Sequence, residues 1–118
     1  MPEDTINLEQ KLSGFSEYWS PKIISQFNDC DVMVFKAKGE FNWHKHDETD
    51  DFFLVLKGRL RIELRDREVV LGPGELYVVP KGVEHRPVAD EEAHVLLLEP
   101  RGTPNTGEPE TAAEKTSI

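Results

Sequence analysis

His44 and His46 stand two residues apart in the segment Trp43-His44-Lys45-His46-Asp47-Glu48-Thr49-Asp50-Asp51. In an extended strand, residues i and i+2 project to the same side, so two imidazoles could share one cation while Lys45 points away. Asp51 opens an apolar run. Alternation groups Asp51, Phe53 and Val55 on one face, and Phe52, Leu54 and Leu56 on the other. A carboxylate at the head of an inward face is costly unless it binds something. His85 follows the turn Pro80-Lys81-Gly82 and enters the next strand. Three of the four histidines therefore fall at strand starts beside turns, where the mouth of a barrel would lie.

The elements that must position these groups read as β. Apolar runs recur at Ile23–Phe27, Val32–Ala37, Phe52–Lys57, Leu60–Leu64, Val69–Leu71, Leu76–Val79 and Ala93–Leu98. Turn residues separate them, among them Asn28-Asp29, Lys38-Gly39 and Gly72-Pro73-Gly74. Short strands without intervening helices predict an all-β antiparallel sandwich or barrel spanning residues 22–100. Residues 1–21 form an N-terminal arm. Asn7 can cap a short helix over Asn7–Ser13, with Leu8 and Leu12 four apart and Gly14 ending it. The tail, residues 101–118, carries two prolines, two glycines and one large apolar residue, and is expected to be flexible and partly disordered, although part of Gly102–Gly107 can lie against the barrel.

Composition removes several function classes. A net charge of −9 and a pI near 4.9 oppose binding to nucleic acid or to anionic membrane surfaces. The longest apolar run, Phe52–Leu56, is far short of the roughly 18 residues a membrane span needs. The N-terminal segment has neither a basic start nor an apolar core, so no secretory leader is expected. The single cysteine, Cys30, allows no internal disulfide, which fits a cytoplasmic protein.

The stretch Gly39-Glu-Phe-Asn-Trp-His44-Lys-His46-Asp-Glu-Thr-Asp-Asp51 through Gly58 resembles the first motif of the cupin superfamily. Gly74-Glu-Leu-Tyr-Val-Val-Pro80-Lys-Gly82-Val-Glu-His85 resembles the second. The likeness extends roughly over Phe27–Pro100, and the chain is similar to small single-domain cupins of the mannose-6-phosphate isomerase-like kind. It implies a jelly-roll (double-stranded β-helix) barrel, commonly dimeric, with His44, His46, Asp51 and His85 on the metal-ligand positions. Three positions depart from the pattern. Gly39 is one residue closer to His44 than is usual. Asp51 stands where Glu is usual, which leaves Glu48 and Asp50 open as alternative carboxylates. Ala89 replaces an Asn that is not a ligand.

Three imidazoles and a carboxylate suit Fe, Mn, Ni, Zn, Co or Cu better than Mg or Ca. Phe35, Phe41, Phe53, Val55 and Tyr77 are the candidate pocket-lining residues, and a small-molecule ligand or substrate is the expected partner. No general base stands out, and His94 reads as a surface or interface histidine. Glu84 is expected to point away from His85 into solvent, and Arg61, Arg65 and Arg67 with Glu63, Asp66 and Glu68 to form a solvated hairpin face. Trp19, Trp43, Phe52 and Leu54 could help bury a homodimer interface. Fold resemblance leaves open whether the chain is a metal-dependent enzyme (oxygenase, isomerase or lyase) or a non-catalytic cupin that binds or senses a small ligand.

Overall fold

The computed structural model describes residues 5–118; the first four residues of the arm, part of the stretch read as lacking a leader, lie outside the described residues. Asn7 caps the helix α1 (Leu8–Leu12), its side-chain oxygen accepting from the Gln10 N–H at 2.9 Å. Eight strands follow: β1 (Lys22–Phe27), β2 (Cys30–Glu40), β3 (Asp51–Lys57), β4 (Leu60–Leu64), β5 (Glu68–Leu71), β6 (Leu76–Val79), β7 (His85–Pro100) and β8 (Thr116–Ser117). The predicted runs all fall within strands, and the last is the middle of the 16-residue β7.

β7 organises the sheet. Its first residues pair with β4, residues around Val95 with β3, and β2 runs beside it from Val88 to Pro100, all antiparallel. The main order is β5-β4-β7-β2-β1-β8, with β3 joining β7 to β6. The result is a jelly roll whose sheet does not close into a complete barrel.

Alternation fills the interior. Met33, Val55, Leu60, Ile62, Ala93 and Val95 are fully buried in one core cluster with Phe35 and Phe53. Each large apolar side chain so buried stabilises the fold by about 1.5–3 kcal/mol. A second cluster lies on the outer face, where Leu12 of α1 packs on Ile24 and Val34, flanked by Leu56 and Leu96. The β3–β4 turn depends on Gly58, which has φ 82°. A Cβ there would stand 2.7 Å from the Glu92 carbonyl, so both the conformation and the space require glycine.

The tail, expected as partly disordered, is placed as a series of turns ending in β8, which runs parallel to β1 at Lys22 and Ile23. Ile118 closes this contact through its N–H to the Ile23 carbonyl at 3.0 Å.

Candidate metal centre

Asp51 heads β3, as the alternation predicts, and His85 heads β7 after the Pro80-Lys81-Gly82 turn. The two remaining histidines differ from the strand expectation. His44 makes only a single antiparallel bridge, to His85, and His46 lies in the loop beyond it. The bridge is reciprocal: the His44 N–H reaches the His85 carbonyl at 3.0 Å, and the His85 N–H reaches the His44 carbonyl at 2.9 Å. The Gly82 N–H donates to the His46 carbonyl at 2.8 Å. Backbone pairing between the two motif loops therefore does what a continuous strand was expected to do.

The four side chains converge. Asp51 Oδ2 lies 2.8 Å from His85 Nε2, 3.2 Å from His46 Nε2 and 3.9 Å from His44 Nε2. One ligand atom from each residue lies within 4.8 Å of the others. All four side chains are buried. Glu48 and Asp50 are exposed and turn elsewhere, Asp50 accepting from the Lys81 N–H at 3.0 Å.

Hydrogen bonds behind the rings decide what the cluster can hold. His44 Nδ1 meets the Asn42 carbonyl at 2.8 Å, and His85 Nδ1 meets the Val83 carbonyl at 2.9 Å. A carbonyl only accepts, so each Nδ1 donates, which leaves Nε2 of each ring turned toward Asp51. Each Nε2 can therefore offer a lone pair to a cation held against the carboxylate or, when it carries a proton, donate to Asp51 Oδ2 directly. His46 Nε2 is buried 3.2 Å from Asp51 Oδ2 but makes no aligned hydrogen bond, and a buried polar atom left so is costly. This donor set fits a divalent transition metal. Burial pushes the Asp51 carboxyl up, but the contacts with His44, His46 and His85 outweigh it and hold the group well below the usual carboxylate range.

Beside the cluster lies a cavity of about 30 Å³ lined by Trp19, Phe35, Phe41, Phe53 and Leu97, with His44 and Asp51 at its edge. Trp19 stacks on Phe41 with ring centroids 5.0 Å apart, and Phe41 meets His44 edge-on at 5.3 Å. Of the expected lining residues, Val55 is instead sealed in the core and Tyr77 faces a separate surface depression beside Pro80 and Gly82. Trp19, expected at an interface, faces the cavity. Trp43 is covered by the chain's own Arg65, whose guanidinium sits 3.8 Å over the ring. His94 lies outside this region and bonds Glu92 at 2.7 Å. Glu84 is half-exposed and pairs with Arg65 at 3.2 Å.

Two polar residues that line this cavity, Glu99 and Asn105, were not anticipated, nor was the partner of the first, Lys115. Glu99 is only 2% exposed and lines the cavity, as does Asn105 of the tail. Lys115 reaches Glu99 Oε1 at 2.9 Å. A signal for Glu99 existed: Ala93, Val95, Leu97 and Glu99 alternate inward on β7, the pattern that singled out Asp51. Burial raises the Glu99 carboxyl above its ordinary value, and Lys115 offsets this only in part.

Comparison with known proteins places this arrangement. Residues 31–99, more than half of the chain, match the Cupin_2 family, a cupin domain. A solved cupin-2 domain protein from Shewanella frigidimarina is 47% identical, with a TM-score of 0.80 over 81% of this chain and 94% of that one. A solved Neisseria meningitidis protein is 33% identical, with a TM-score of 0.74 over 82% of this chain and 99% of that one. An uncharacterised Bacillus subtilis protein, YdbB, is 41% identical over 64 residues, which span 53% of this chain and 57% of that protein's length.

Proposed function

We propose a function from one premise: the chain belongs to the cupin family. On our reading it is a metal-dependent enzyme acting on a small polar metabolite, with one divalent transition metal held by His44, His46, Asp51 and His85. The observation that carries this reading is the buried set of three Nε2 atoms around Asp51 Oδ2, two of them fixed by carbonyls behind their rings and the third unpartnered.

Bound there, the ion would supply Lewis-acid polarisation of a ligand oxygen or a lowered water pKa. The chain's own residues supply the rest. Asn42 and Val83 hold the His44 and His85 rings in register through their carbonyls. Trp19, Phe35, Phe41 and Phe53 exclude bulk water. Oxygenase, isomerase and lyase chemistry all remain compatible with this donor set. A sugar phosphate, the substrate that the isomerase-like resemblance would suggest, is disfavoured because no Lys or Arg is among the residues lining the cavity. A second reading, a cupin that binds or senses a ligand without turnover, is favoured by the absence of any Ser or Cys nucleophile among those residues.

A thermal-shift screen of the metal-loaded protein and His46→Ala against small polyols, hydroxy acids and enolisable carbonyl compounds separates the readings. Stabilisation with product formation, both lost in His46→Ala, supports the enzyme. Stabilisation without product supports the binding module.

The same reading includes a homodimer. The register sets Phe52 beside Val78 and Leu54 beside Leu76, and Leu76 and Val78 are 55% and 39% exposed. This apolar strip on the outer face suits a second copy of the chain. Sedimentation should find a dimer that Leu76→Glu combined with Val78→Glu converts to monomer; an unchanged mass would exclude this face. The lone half-buried Cys30 supports a reducing, cytoplasmic setting.

A further inference from the structure

The cavity beside the cluster is too small, in this conformation, for anything as large as a metabolite. Its volume of about 30 Å³ exceeds the roughly 10–15 Å³ that one water needs, but leaves little more room. One wall comes from the tail, through Asn105. Asn105 reaches the Trp19 carbonyl at 3.5 Å and accepts from the Ala113 N–H at 2.8 Å, so it ties the tail both to the cavity wall and to itself. The same segment crosses the ligand loop. Thr106, Gly107, Glu108 and Thr111 share a cleft with His44 and Lys45.

That crossing is tight. Gly107 has φ 83°, and a Cβ on it would overlap the Lys45 carbonyl oxygen. Any larger residue would lift the tail from the loop between His44 and His46. The attachments that hold the tail are almost all polar. Lys115 pairs with Glu99 and also donates to the Thr103 carbonyl. Lys11 donates to the Ile118 carbonyl at 2.9 Å. A segment with few buried apolar contacts opens at a small fraction of the global unfolding free energy. Glu99 itself stays behind on β7, so when Lys115 leaves, a carboxylate is bared to the cavity beside the cluster.

We propose that residues 103–118 form a lid over the metal pocket, latched by the Lys115–Glu99 ion pair, and that ligand reaches the cluster only when this lid lifts. The proposal rests on the metal-dependent reading of the same site and names how access to it is governed. Closure would separate the site from water, and opening would let a ligand hydroxyl or ammonium take the place of Lys115 on Glu99.

Acrylamide quenching of Trp19 tests the lid. Trp43→Phe leaves Trp19 as the sole tryptophan. In that background, Gly107→Val and Lys115→Met are compared with the parent by quenching, circular dichroism and metal content. Both substitutions fall on the tail and replace none of the four cluster residues. The expected result is a severalfold higher quenching constant in each, with the β spectrum retained. Quenching unchanged in both variants would overturn the lid. Metal content separates the two readings: a parent that loads no metal, with quenching still raised in both variants, ends the metal reading and leaves the lid. A loaded parent with unchanged quenching ends the lid and leaves the metal reading.

Discussion

Two buried carboxylates each end an inward row of apolar side chains, and they are held in opposite ways. Asp51 heads the row Asp51, Phe53, Val55 on β3, and Glu99 closes the row Ala93, Val95, Leu97, Glu99 on β7. Asp51 is surrounded by three imidazoles fixed to strands and motif loops, and its carboxyl is driven below the usual range. Glu99 lies opposite the buried Asp31 in the β2–β7 register, and its carboxyl is raised by burial. Its cation, Lys115, comes from a tail that can leave. A carboxylate whose partners are built into the sheet belongs to a permanent site; one whose partner sits on a detachable segment belongs to a switchable one.

The largest expected effect is at Asp51. Asp51→Ala removes the only carboxylate of the cluster and should abolish metal binding, a greater loss than the roughly 10–100-fold usual for residues that only support a ligand. Next is the latch. Lys115→Met leaves Glu99 buried without its cation, and urea denaturation should read a loss of about 1–3 kcal/mol. Adding Glu99→Gln should recover part of that loss, because the stranded charge is gone; a double variant weaker than Lys115→Met alone would contradict the latch. The smallest effects are expected at the acidic loop. Glu48→Gln and Asp50→Asn should each leave metal content unchanged and stability within about 0.5 kcal/mol, since both are exposed and outside the cluster. Metal lost from either would move the carboxylate ligand away from Asp51.

Much of this was legible because strand alternation is a local signal. The strands, the capping by Asn7, the inward Asp51 and the entry of His85 into β7 all follow from spacing and turn residues. The HxH pair was legible as chemistry but not as backbone, since the His44–His85 bridge and the Gly82–His46 bond join segments far apart in sequence. The cavity was only partly legible. Phe35, Phe41 and Phe53 reach it, whereas Val55 sits one layer deeper and Tyr77 turns to the surface. Glu99 obeyed the same alternation as Asp51, but its run is apolar on both faces, so the inward side could not be chosen without knowing that β7 pairs with both β2 and β3. The tail's role was hidden by its composition. Polar, Pro- and Gly-rich segments read as disordered, and the contacts that place this one are all long-range, among them Lys115–Glu99, Asn105 on the Trp19 carbonyl, Gly107 against Lys45 and β8 beside β1.

The most direct test is elemental analysis of the purified protein beside Asp51→Ala, His46→Ala and Glu99→Gln. The account predicts near-stoichiometric Fe, Mn, Ni, Zn, Co or Cu in the wild type and in Glu99→Gln, and none in Asp51→Ala or His46→Ala. A wild-type protein that takes up no metal when supplied, or an Asp51→Ala variant that keeps it, would contradict the account.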